Sequence, residues 1–244
     1  MFRIDEANRV IVSIHQPHFL PWIGYFNKVL QSDAFVWLNY VQYRKNYFQN
    51  RTKVKNINEE PLWLTLPVHA KHDMAINQVV IADPRWRIRV CKTIEQCYQK
   101  TPYFAECWTA LSTEIMQAPD NLDEVNYQTF LVLLRLLNGS HVQVSRVEEI
   151  PVTSTDPTER LVEICTYLGA SQYIAGRGGH NYLRLEEFKK AKIDVIWQEF
   201  EPSKVVYPQL GSTFIPGLSI IDCIFNLGPA KARELIQSAW APQP

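Results

Sequence analysis

Two imidazoles and a carboxamide sit among prolines in the segment Ser13-Ile14-His15-Gln16-Pro17-His18-Phe19-Leu20-Pro21-Trp22. A histidine there can accept or give a proton near neutral pH, and a glutamine can hold a carbonyl or amide through paired hydrogen bonds. His15, His18 and Gln16 are therefore the candidate catalytic residues; the alternative is a rigid turn with capping histidines. No metal is expected, because His15 and His18 come with no third ligand, no HExxH and no Cys-rich pattern. Nor does the sequence indicate a covalent mechanism, since no serine lies in a GxSxG elbow and no cysteine carries a nucleophile signature.

A second cluster follows. Between Ala34 and Asn58 stand five cationic side chains and no Asp or Glu, interleaved with aromatics and amides. Gln42, Tyr43, Arg44, Lys45, Asn50, Arg51 and Lys53 suit phosphates flanking a base or sugar, Arg as a planar fork and Lys as a point charge. The same composition suits a short RNA segment, whose bases would stack on the aromatics, and a solvated basic hairpin is the alternative to both. Gly176 and Arg177, in Tyr173-Ile174-Ala175-Gly176-Arg177-Gly178-Gly179, offer backbone amides and one charge to an anion, or form a plain helix-entry turn. Tyr207 and Gln209, alternate residues of an extended segment, face one way and could both address a ligand. Ser219 and Asp222, three apart before an apolar run, read instead as a helix-capping pair.

These residues need elements to hold them. Val10–Ile14 reads as a buried strand entering the His15 loop, followed by a helix from Pro21 and a strand over Ala34–Leu38. Strand, loop, helix and strand make a βαβ unit, whose first loop lies at the carboxyl edge of a parallel sheet, where open α/β folds bind ligands. Further strands are expected at Leu62–Leu66, Gln78–Ile81, His141–Ser145, Gln172–Ala175 and Asp194–Trp197. A helical middle covers about Arg85–Leu137, broken near Thr101-Pro102 and Ala118-Pro119-Asp120. Helices are also expected from Pro157 to about Leu168, near Tyr182–Ala191, and over about Pro229–Ala239. No linker or repeat divides the chain, so one α/β domain over residues 1–244 is expected, with a helical insertion at about 85–138.

Composition bounds the rest. Lys plus Arg equals Asp plus Glu at 25 each in 244 residues, so any polyanion site must be local. The five cysteines show no CxxC pair and read as reduced core thiols. With no apolar leader and no run of about 18 apolar residues, a cytoplasmic protein without a membrane span is expected.

His15-Gln16-Pro17 with Phe19-Leu20-Pro21-Trp22-Ile23-Gly24-Tyr25-Phe26, then Val41-Gln42-Tyr43, Gln49-Asn50-Arg51, Trp63-Leu64-Thr65-Leu66-Pro67-Val68, Tyr173-Ile174-Ala175-Gly176, Tyr182-Leu183 and Phe214-Ile215-Pro216-Gly217-Leu218-Ser219-Ile220-Ile221-Asp222, resemble the WbqC-like family over nearly the whole chain. That family is associated with bacterial surface-polysaccharide and O-antigen gene clusters. The resemblance implies transfer of glycine or another acyl or aminoacyl group to the amine of a nucleotide-linked amino sugar. His15, less so His18, would take the amine proton, Gln16 would hold the acyl carbonyl or the sugar, and Arg44, Lys45, Arg51 and Lys53 would hold a diphosphate or an RNA donor. No cofactor is implied. The donor stays open among aminoacyl-tRNA, a thioester, and a free amino acid with ATP, and the oligomeric state is open too.

One departure from the family pattern is Leu38-Asn39-Tyr40, where an acidic residue is common. A second, fold-level resemblance is to nucleotidylyltransferases such as pantothenate synthetases, and it implies a parallel-sheet, Rossmann-like core. Their His-x-Gly-His signature corresponds here to Trp22-Ile23-Gly24-Tyr25, which keeps the glycine and neither imidazole. An ATP-using ligase-like enzyme, or a non-catalytic module that binds a nucleotide sugar or RNA, is the alternative function.

Overall fold

The computed structural model describes residues 9–240 and 242–243; the polar leader over residues 1–8 lies outside them. The expected βαβ opening is present: β1 (Ile11–His15), α1 (Ile23–Val29) and β2 (Ala34–Trp37). The helical middle divides where the sequence places its breaks, into α2 (Trp86–Tyr98), α3 (Phe104–Gln117) and α4 (Leu122–Leu136), before β7 (Gln143–Arg146). Asn121 starts α4 by accepting the Glu124 amide, and Asp156 starts α5 (Pro157–Tyr167) by accepting those of Thr158 and Glu159. Each such cap contributes about 1 kcal/mol.

The remaining elements are β8 (Gln172–Ala175), α6 (Leu185–Lys190), β9 (Asp194–Gln198), α7 (Ile220–Leu227), α8 (Pro229–Ser238) and β10 (Pro242–Gln243). The helix expected from Tyr182 begins only at Leu185. Residues 177–181 form a tight 3-10 turn, and Arg184 is extended.

The central sheet has the order β10-β9-β8-β1-β2-β7. Its five strands from β9 to β7 are parallel, and β10 adds an antiparallel edge that the sequence did not suggest. This is an α/β, Rossmann-like core. Side chains alternate across it: Val12, Ile14, Ala34, Val36, Tyr173 and Ala175 join one core with residues of α5 and α6. Phe35 and Trp37 join the larger one, with α1, α4, α7 and α8. Phe130 of α4 lies 5.3 Å from Phe35 and 5.1 Å from Trp37, ring centre to ring centre, so the last helix of the middle region covers β2 directly.

The basic segment forms its own small sheet. β3 (Arg51–Lys55) pairs antiparallel with β4 (Pro61–Thr65). The strand expected over Gln78–Ile81 is shorter: Ile76–Gln78 is a 3-10 turn, and only β6 (Val80–Ile81) pairs, with β5 (Val68–His69).

From β1 the chain proceeds to β2 on one side, and from β8 to β9 on the other. The carboxyl ends of β1 and β8 therefore flank a point where the connections diverge, and that divergence opens a crevice.

Candidate functional site

A cleft of about 1150 Å³ lies at this point, lined by residues of the loops after β1 and β8. Its floor comes from the first loop. Alternation along β1 turns His15 to the same side as Ser13, toward α1. The His15 ring lies 4.7 Å from that of His18 and 4.6 Å from that of Tyr25. His15 Nδ1 is 2.9 Å from the Gln16 carbonyl. A carbonyl only accepts, so Nδ1 carries the proton and Nε2 is left with its lone pair. Burial, then the nearby Lys28 and His18, lower the His15 pKa well below the usual histidine value. His18 is buried, and desolvation with Lys28 pushes it down to about 3; neither ring nitrogen of His18 has a hydrogen-bond partner. Both imidazoles are neutral at neutral pH.

The loop is pinned from three sides. Leu20 holds a positive φ of 41°, a conformation that costs a branched side chain on the order of 1 kcal/mol or more. Two hydroxyls hold it there, since Thr52 and Ser219 both donate to the Leu20 carbonyl, at 3.0 and 2.7 Å. The Phe19 amide donates to Phe48, and the Ile220 amide to Pro21. This corrects the capping pair: Ser219 Oγ is spent on Leu20, and Asp222 accepts the Tyr207 hydroxyl at 2.8 Å instead of first-turn amides. Tertiary partners outcompete the local cap, since the Ile220 amide already has the Pro21 carbonyl.

Gln49, fully buried, ties the second cluster to the first. It accepts the Arg44 amide at 2.7 Å and donates to Gln16 Oε1 at 2.6 Å. With its oxygen so engaged, Gln16 keeps its Nε2 as a donor toward the cleft. Gln42, Arg44 and Lys53 line the cleft, as do Gly176 and Arg177 on the opposite wall. A side chain added at Gly176 or Gly178 would meet nothing within 4 Å, so open space lies over the backbone there.

The other expected binding residues lie elsewhere. Tyr43 is buried in the larger core, and Asn50 donates to the Leu66 carbonyl. Arg51 lies 4.1 Å over the Trp63 ring and donates to the Asn46 carbonyl. Lys45 is exposed. Tyr207 is buried against Asp222, and Gln209 closes its own loop by bonding both backbone groups of Ile215. None of the six lines the cleft. Both side chains of this segment are thus spent on protein partners.

Charge in the cleft is one-sided. Lys28, Arg44, Lys53, Arg160 and Arg177 line it and, among the described residues, no Asp or Glu does, although Arg177 stands 3.6 Å from Glu199 just outside the lining, in a chain whose charges balance. Aromatic surface comes from Trp22, Tyr47, Phe48, Tyr182 and Phe200. Lys28 and Arg160 were not among the expected residues. Lys28 stands in a wholly buried helix with no Asp or Glu within four residues in sequence, which was the available signal.

At the family departure, Asn39 donates at 2.6 Å to both Asp123 and Glu148, so carboxylates from elsewhere meet the carboxamide. Gly24 is required by packing: a Cβ there would come within 2.3 Å of the Trp22 ring. All five cysteines are free and buried. Among the described residues, no group of three or more His, Cys, Asp or Glu side chains is placed to hold a metal ion, and no helix is long and apolar enough to cross a membrane.

A model of the WbqC-like protein family matches residues 16–234, which include the cleft loops. A protein of Mycobacterium tuberculosis (strain ATCC 25618 / H37Rv) carrying the name Uncharacterized protein Rv1507c is 28% identical over 234 residues, covering 93% of this chain and 97% of its own length. No solved structure matches.

Proposed function

The chain belongs to the WbqC-like protein family, and we propose that it transfers an acyl or aminoacyl group, glycyl among them, to the amine of a nucleotide-linked amino sugar in surface-polysaccharide biosynthesis. The observation that carries this reading is the cleft itself, with five cations, no carboxylate and an aromatic lining, closing on two neutral imidazoles. A nucleoside diphosphate supplies a ring to stack and charge to neutralise. The floor supplies a base.

The step balances simply. The amine nitrogen forms a bond to the acyl carbonyl carbon, the bond from that carbon to the donor's oxygen or sulfur breaks, and His15 Nε2 takes the ammonium proton and passes it to the leaving group. Gln16 Nε2 donates to the carbonyl oxygen as its charge grows. Arg44 and Lys53 on one wall and Arg177 on the other hold the diphosphate.

The test is mass spectrometry of a nucleotide-linked amino sugar incubated with the protein and, in turn, aminoacyl-tRNA, an acyl thioester, and an amino acid with ATP. An acyl-sized mass gain on the sugar with one donor is expected. Pyrophosphate release from ATP with no acylated sugar would move the assignment to a ligase-like reaction, and binding without any product to a recognition module.

A further inference from the structure

Lys28 is 2% exposed and yet lines the cleft floor. Its ammonium carries three donors, and one protein acceptor is present, the Ile14 carbonyl at 3.1 Å. No carboxylate among the described residues lies within ion-pair distance. The titratable groups around it are His15, His18 and Tyr25, whose ring meets that of His15 edge-on and that of His18 at a tilt. Those groups bring no negative charge at neutral pH, and desolvation pushes Lys28 itself down to about 7. A buried cation without a counter-charge is costly, and chains normally pair it. Beside it, both His18 ring nitrogens are buried without partners. Lys28 and the His18 ring, each with donor capacity unspent, thus both line a cavity that no Asp or Glu of the described residues lines.

We propose that Lys28 and His18 form an oxyanion-binding floor, in which a carboxylate or phosphate oxygen of the ligand becomes the counter-charge that the protein omits. The inference rests on the same cleft as the proposed function and deepens it. The ligand's own charge completes the site, so an uncharged analogue of equal shape leaves the ammonium unpaired and is rejected. Occupation also fixes Lys28 in its charged form, so that binding draws a proton from solution at mildly alkaline pH, where the free amine is largely neutral.

The test is calorimetric titration of inorganic diphosphate, and separately of acetate, into the full chain at pH 8 in two buffers of different protonation heat. At least one anion is expected to bind with uptake approaching one proton. Lys28→Met should weaken that anion at least tenfold and abolish the uptake, while its melting temperature without ligand rises because folding no longer has to strip a proton from a buried amine. Lys28→Gln, which keeps a donor toward Ile14, makes the same comparison should Met not be accommodated. Diphosphate dependence assigns the floor to the nucleotide, and acetate dependence to a carboxylate of the sugar or of a free acid donor. No binding of either anion, no uptake by the wild-type chain, or unchanged affinity in the variants would overturn the proposal. Anion binding of the expected kind without any acyl transfer would leave the floor standing and remove the transferase reading, whereas transfer unaffected by Lys28→Met would do the reverse.

Discussion

Two buried lysines solve the same problem in opposite ways. Lys55, 3% exposed, ends β3, where its ammonium donates to the Thr213 carbonyl and stands 3.8 Å from Glu59. Lys28, as deeply buried, has one carbonyl and no carboxylate. The histidines and tyrosines around them divide likewise: Tyr207 is bonded to Asp222, whereas His18 has no partner. Satisfied polar groups describe structure, and unsatisfied ones that line a cavity describe a place for a ligand. The comparison separates candidates that residue type alone cannot.

The largest effect that would break this division is on turnover. His15→Ala should lower it by about 10²-fold or more with ligand affinity little changed, the range for a positioned general base; initial rates at saturating substrate decide, and near-wild-type rates would remove His15 from the mechanism. Next come the cleft cations. Arg44→Ala combined with Lys53→Ala should weaken a nucleotide diphosphate by about tenfold or more, at about 1–2 kcal/mol for each charge-assisted bond lost, while Arg51→Ala, spent on Trp63 and Asn46, should change affinity little. Stability then sharpens the contrast. Tyr207→Phe should destabilise the fold by about 1–3 kcal/mol by stripping a buried carboxylate of its donor, with ligand affinity unchanged; a loss of affinity would return Tyr207 to the binding site.

The last contrast is in pH dependence. His18 sits at about 3 in the folded chain against 6.5 unfolded. On acidification the unfolded chain therefore binds the proton first, and stability falls as pH drops from about 6.5 toward 3. Asp222, raised by burial to about 6 from 3.8, acts in the opposite sense: the folded chain binds the proton first, and stability rises as pH falls through that window. Melting curves of His18→Gln should lose part of the acid-side decline, and those of Tyr207→Phe should not.

Much of the fold was legible because its signals are local. The β-branched run before His15, the prolines at 102 and 119, and the Asp156-Pro157 start each act over a few residues, and the structure places strand ends and helix breaks close to them. That the loop after β1 lies at the carboxyl edge of the sheet, where the cleft opens, was legible from topology. What was not legible depends on partners far away in sequence. Ser219 has the spacing of a cap, but its hydroxyl is claimed by Leu20, 199 residues distant. Tyr43, Asn50 and Tyr207 share the composition of a binding surface, and only packing shows that they face protein. Lys28 was hidden for the converse reason: its sequence context reads as an apolar helix, and what distinguishes it is the carboxylate that no other described segment delivers.

The most direct test of the account is a calorimetric titration of a nucleotide-linked amino sugar into the wild-type chain, the Arg44→Ala/Lys53→Ala variant and Tyr207→Phe. The account predicts one ligand per chain, a large loss of affinity in the double variant, and wild-type affinity in Tyr207→Phe. No saturable binding to the wild-type chain, or equal losses in both variants, would contradict it.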